Sequence, residues 1–242
     1  MQFQSKRTFD WILSRDIDTV KELSRVIIAA HLWNVGTDLV PGLIGLKEED
    51  FGEGSLRDTA RAVSALAAEG IIFPDMSDRM LSEQKDMAWN NDVYDTAYVL
   101  TALADVGVHN REGCLWLVKN YGPAWEHPGT TALIISALVK QGMLYENESS
   151  GFERFISERA GWIISKRVEN GAWKTLATSN IVIQALILAG YGSELGEPVQ
   201  WLLDKMNENG SWGKNEGDIN TTALTLITLA SLEKIGLQYP SA

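Results

Sequence analysis

Asp92-Val93-Tyr94-Asp95-Thr96-Ala97 sets two carboxylates three residues apart at the start of a stretch with helical periodicity. Residues so spaced share one helix face. Paired carboxylates there can do acid–base work, one held protonated while its neighbour stays ionised, as in proton donation or glycoside hydrolysis. A plainer role competes: Asp at a helix start caps free N–H groups and complements the helix dipole, worth about 0.5–2 kcal/mol for a good cap. Asp58 in "DTARAV" occupies the place of Asp95, so Asp95 reads first as a cap repeated elsewhere. Asp92 lies outside that repeat and is the more informative acid.

Other residues extend the candidate chemistry. Glu126 beside His127 offers a second acid for glycan hydrolysis. Arg57, Arg61, His127, Lys174 and Lys214 lie near helix starts, where exposed N–H groups favour a diphosphate or carboxylate. Tyr94 and Tyr98, one turn apart, and Trp89, Trp125, Trp173 and Trp212 could wall a hydrocarbon pocket. The four tryptophans recur at repeat spacing, which also fits packing where one helix turns into the next. Cys114 is the only cysteine, and no Cys/His spacing matches a zinc site. No metal is expected among these residues.

The elements that must hold these residues repeat. "DTAYVLTALADVG" (95–107) aligns without gaps to "DTARAVSALAAEG" (58–70), "TTALIISALVKQG" (130–142), "TSNIVIQALILAG" (178–190) and "TTALTLITLASLE" (221–233), and more loosely to "SRVIIAAHLWNVG" (24–36). One column is leucine throughout: Leu32, Leu66, Leu103, Leu138, Leu186 and Leu229. The starting column reads Arg25, Thr59, Thr96, Thr131, Ser179 and Thr222, and its hydroxyls are expected to cap. Gly36, Gly70, Gly107, Gly142 and Gly190 close five units and are expected to take the left-handed conformation that ends a helix. Between these inner helices lie outer ones. In "GWIISKRVENGAW" and "QWLLDKMNENGSW" the two tryptophans stand 11 residues apart. The stretch "PGLIGLKEEDFGEGS" has too many glycines to be read as a helix.

"QWLLDKMNENGSWG" followed by "INTTALTLITLASL" resembles the repeat of terpenoid cyclases and protein prenyltransferase β subunits, from about residue 56 onward. The resemblance implies an all-α fold, an α/α toroid of about six helical hairpins spanning 1–242 as one domain. An open α-solenoid is the alternative, but the apolar last unit suits closure onto the first. The pattern departs from the family in two places. Arg167 and Met206 stand where cyclases carry a glutamine that packs on tryptophan. Cyclases of the protonating class also carry Asp-x-Asp-Asp-Thr-Ala, whose middle aspartate delivers the proton; here that place is Tyr94. A phenol, with an ordinary pKa of about 10, is too weak an acid for alkene protonation.

The resemblance therefore implies an isoprenoid-binding or isoprenoid-transforming protein with Asp92 and Asp95 as its acids. Two other classes remain: a non-catalytic scaffold or ligand- or peptide-binding toroid, and a carbohydrate-active one. No organic cofactor is expected, and Mg²⁺ would accompany a diphosphate ligand. A partner protein subunit is compatible with the prenyltransferase likeness, for which Glu112 and Cys114 give only a superficial metal motif. The formal net charge of −11 argues against a nucleic-acid partner. The polar first residues and the lack of a long apolar run lead to the expectation of a cytoplasmic protein without a transmembrane segment.

Overall fold

The structure, a computed structural model, describes residues 3, 5–49, 55–143, 151–169 and 171–236, with backbone alone at 47–49. Twelve α-helices and no strand occur among them. The even-numbered helices are α2 (Val20–Leu32), α4 (Leu56–Ala68), α6 (Val93–Asp105), α8 (Pro128–Gly142), α10 (Leu176–Leu188) and α12 (Ile219–Lys234). Alternating with them in the chain are the odd-numbered helices α1 (Ser5–Leu13), α3 (Val40–Glu49), α5 (Pro74–Ser82), α7 (Arg111–Asn120), α9 (Glu153–Ser165) and α11 (Gly196–Asp204). Each even helix packs on the odd helix that follows it, with α12 packing on α1. The even helices pack in sequence, α2 on α4, α4 on α6, α6 on α8, α8 on α10 and α10 on α12, and α12 packs against α2. The contact order is cyclic. No described helix is long and apolar enough to cross a membrane.

Six helices stand where the repeat placed them, with differences at their ends. The side chains that cap lie four residues before the hydroxyl column, and six before Arg25 in the first unit. Thr19, Asp92, His127, Thr175 and Asp218 accept backbone N–H groups of the first turn, and Ser55 holds the same place in α4 without such a bond. The hydroxyl column instead fastens the preceding tryptophan. Thr222 Oγ1 accepts the Trp212 N–H at 3.0 Å and donates to the Trp212 carbonyl at 3.1 Å. Ser179 does the same for Trp173 at 3.0 and 2.8 Å, and Thr96 accepts the Trp89 N–H at 3.2 Å. These hydroxyls sit one turn inside the helix, where they satisfy a buried loop rather than a helix end.

The indoles complete the joint. Trp89, Trp173 and Trp212 are at most 1% exposed, and their Nε1 groups donate to carbonyls of Met80, Ile163 and Leu202 around the preceding outer helix. Arg167, in the place of the expected glutamine, stands 5.6 Å over the Trp173 ring, so a cation–π contact replaces amide packing there.

Two further expectations change. The glycine-rich stretch after Val40 is helical as α3, because Leu43 is fully buried and tertiary packing outweighs two unfavourable glycines; residues 50–54 of that stretch lie outside the described residues. The first repeat is also two residues out of register. Gly70, Gly107 and Gly190 are left-handed, with φ of 73°, 76° and 84°, but in the first unit the left-handed residue is Asn34, φ 54°. The N–H of the following Val35 returns to Ala30, as Ile71 returns to Leu66. Ala30, 2% exposed, therefore fills the leucine column in place of Leu32. Gly36 lies beyond the turn, and Gly142 is the last residue of α8 rather than a left-handed stop.

Candidate functional site

Counting from each helix start, the sixth residues of the six even helices are Arg25, Arg61, Tyr98, Leu133, Ile181 and Leu224. The ninth residues, one turn on, are Ile28, Ser64, Thr101, Ser136, Gln184 and Ile227. The i, i+3 spacing puts both sets on one face. All of them line a single cavity of about 380 Å³, within the range of small-molecule pockets. At the sixth-residue level the wall has two halves: Arg25, Arg61 and Tyr98 from α2, α4 and α6, and three aliphatic side chains from α8, α10 and α12. Farther along, Lys140 and Asp105 pair at 2.7 Å and also line the cavity.

Arg25 donates from Nη1 to the Asn220 side-chain oxygen at 3.1 Å, and Asn220 in turn donates to Glu22 at 3.3 Å. Burial lowers the Arg25 pKa, and the charge of Arg61 pushes the same way, against Tyr98 and Asp218. Lys21, one turn earlier, is lowered by burial and then by the charges of Arg25 and Arg61. Arg61 bonds Asp58 and stands 4.7 Å over the Tyr98 ring. These groups form a cationic corner against an apolar wall.

The two acids picked out from the sequence lie at the helix starts and exchange the roles expected of them. Asp92 is the N-cap of α6, its carboxylate accepting the N–H groups of Tyr94 and Asp95, both at 2.9 Å. Thr19, His127, Thr175 and Asp218 occupy the same place, so Asp92 belongs to a repeat column after all. Asp95 is the buried one, at 8% exposed, and accepts from Arg57 Nε and from Asn90 Nδ2 at 2.9 Å. Arg57 reaches Asp92 as well, at 2.9 Å. Burial alone would lower the Arg57 pKa, but hydrogen bonds and charge from Asp95 and Asp92 outweigh it and raise it. Every hydrogen-bond partner named here for the two carboxylates is a donor. They are arranged to receive protons in hydrogen bonds, not to deliver one.

Tyr94, between the two acids, is 39% exposed. Its hydroxyl lies 3.0 Å from Thr130 Oγ1, and Arg57 stands 5.3 Å over its ring. Of the aromatic candidates for substrate binding only Tyr98 lines the cavity, together with Arg61 from the anion candidates. Trp89, Trp173 and Trp212 are buried in the joints between odd-numbered and even-numbered helices. Trp125 is half-buried in a short 3₁₀ turn, its ring 5.3 Å from that of Trp116. His127 caps α8 through Nδ1, at 3.2 Å from the Gly129 nitrogen, and Glu126 faces Arg159 at 3.7 Å. The structure thus does not gather these acids and aromatics around one space.

Cys114 is fully buried in α7, and burial pushes its thiol up to about 12. His31 is outside the cavity and pairs with Glu69 at 3.2 Å. Burial lowers the His109 pKa, with Arg111 adding to the effect. No group of three or more His, Cys, Asp or Glu able to hold a metal ion occurs among the described residues.

The cavity residue that the sequence misassigned is Arg25. In the two-residue-shifted frame it stood in the hydroxyl column; in the observed register it stands level with Arg61. The signal that could have found it is Asn34, a residue type that tolerates the left-handed conformation almost as glycine does. No protein-family model matches the chain, and comparison with curated proteins finds no match either.

Proposed function

We propose that the six hairpins form a closed α/α toroid whose axial cavity binds a hydrophobic small molecule of isoprenoid type, without protonating it. The observation that carries this reading is the cavity itself, walled by aliphatic side chains from α8, α10 and α12 and reached by all six even helices. The cyclic contact order of those helices supports the toroid. The lack of protonation follows from Asp92 and Asp95, whose contacts are donors, and from Tyr94 at the proton-donor place. A phenol and two guanidinium-bound carboxylates supply no acid able to start carbocation chemistry.

The test is titration with ten- and fifteen-carbon isoprenoid alcohols, carboxylates and diphosphates, the last with and without Mg²⁺. Calorimetry reads binding and gas chromatography reads products. Saturable binding with recovery of unchanged ligand is expected. Failure of every compound to bind would remove the ligand-binding reading and leave a scaffold; a cyclised product would overturn the non-catalytic part.

A further inference from the structure

We infer that the ligand of this cavity is a monoanion, an apolar body ending in one carboxylate that sits against Arg25 and Arg61. The inference rests on the cavity reading above and adds the head group. Four side chains that carry a formal charge at neutral pH line the cavity: Arg25, Arg61, Asp105 and Lys140. Lys140 and Asp105 neutralise each other at 2.7 Å. Arg61 is neutralised by Asp58. Arg25 has no ion pair among the described residues: its side chain bonds the neutral Asn220 and Tyr98, Glu22 is reached only through the Asn220 amide, and the charge of Asp218 acts on it without an ion-pair contact. One positive charge is left over, partly buried and beside a second guanidinium. A buried charge without a counter-charge is costly, so the site is complete only when an anion enters.

Two residues of the same corner carry a buried polar atom without a partner. Ser24, 1% exposed and lining the cavity, has a buried Oγ without a hydrogen-bond partner. Arg61 has a buried Nε likewise unpartnered. Buried polar atoms are rarely left so, and a hydroxyl and a guanidinium N–H are both donors for an oxyanion. Opposite them Leu133, Ile181 and Leu224 offer nothing polar. A ligand charged at one end and apolar along the rest matches both halves of the wall. A diphosphate would bring more than one negative charge to a corner holding a single uncompensated positive one.

The test compares three ligands with one tail, geranate, geraniol and geranyl diphosphate, by calorimetry on the intact chain. Geranate is expected to bind roughly 10- to 100-fold more tightly than geraniol, the range for charge-assisted hydrogen bonds. Arg25→Met is expected to erase that preference, read as the ratio of the geranate and geraniol affinities of the same variant. Arg25→Lys is expected to keep most of it, and Ser24→Ala to reduce it. Circular dichroism establishes that each variant is folded. Equal binding of geranate and geraniol, tighter binding of the diphosphate, or a preference that survives Arg25→Met would each overturn the head-group assignment while the cavity reading stands. Binding of none of the three would overturn both.

Discussion

Arg57 on α4 holds Asp95 on α6 through Nε while its Nη2 takes Asp92. One guanidinium thus ties the starts of two neighbouring helices through the acids that resemble a catalytic pair. Arg57→Met should leave Asp95, 8% exposed, with a buried carboxylate short of a donor. The expected loss is about 1–3 kcal/mol, tempered by the partial exposure of Arg57 and Asp92. Urea denaturation measures it. Asp92→Asn and Asp95→Asn should cost stability without abolishing ligand binding, whereas an acid required for binding or turnover would do the reverse.

Thr222 is expected to matter more than its size suggests. Thr222→Val keeps the shape but removes both bonds to the Trp212 backbone, at 3.0 and 3.1 Å. Leaving a buried N–H unsatisfied costs about 1–3 kcal/mol. Calorimetric melting should show a lower Tm, with Thr96→Val a milder case because Thr96 bonds the Trp89 N–H alone.

The six even-numbered helices were legible because leucine, glycine and tryptophan recur in fixed columns, each with a physical reason. The register of the first helix was not, because Leu32 and Gly36 imitate the repeat two residues away from the residues that fill it. Asp92 looked exceptional only because the alignment began after the cap position. The cap column mixes Thr, Ser, Asp and His, chemically alike at that place but dissimilar as letters. The cavity's cationic corner was half visible: Arg61 was among the anion candidates and Arg25 was hidden by the shifted frame. Tyr94 and Tyr98 share nearly one face of α6, one turn or about 6 Å apart. Tyr94 is the second residue of the helix and lies short of the level at which the cavity begins, at Ala97 and Tyr98, which helical periodicity could have resolved once the helix start was fixed.

Asn34 provides a direct check of that register. Its φ of 54° is the left-handed value taken by glycine in the equivalent turns. Asn34→Ala should destabilise the protein by about 1 kcal/mol and Asn34→Gly should be neutral or slightly stabilising. Gly36→Ala should have little effect, since a Cβ there meets nothing within 4 Å and its φ is not positive. Equal sensitivity at 34 and 36 would contradict the assigned turn.

Filling the cavity should separate binding from folding. Ser136→Phe places a ring among Tyr98, Thr101 and Gln184, all of which line the same space. Ligand binding should fall at least tenfold with the helical content unchanged, by calorimetry and circular dichroism. Undiminished binding would place the ligand elsewhere.

Cys114 gives a pH signature. Burial raises its thiol from the ordinary 9.0 to about 12, so the folded chain holds this proton more tightly than the unfolded one. Its contribution to stability is complete below pH 9 and is lost as pH rises from 9 toward 12. Cys114→Ala should flatten that alkaline decline. Iodoacetamide should modify Cys114 only under unfolding conditions.

The packing of α12 on α2 has a consequence for how the chain reaches its native state. Thr8 donates to the Gly210 carbonyl at 2.7 Å, Trp33 Nε1 to the Leu226 carbonyl at 2.9 Å, and Arg25 to Asn220. These bonds join segments about 200 residues apart, whereas an open array of repeats relies on neighbours alone. Contacts between such distant segments slow folding and bind the first and last hairpins into one cooperative unit. The first hairpin must wait for the last, so synthesis of the chain proceeds with α2 lacking one of its two flanking helices until residue 219 and beyond have been added. Damage at either end of the chain should therefore be felt at the other.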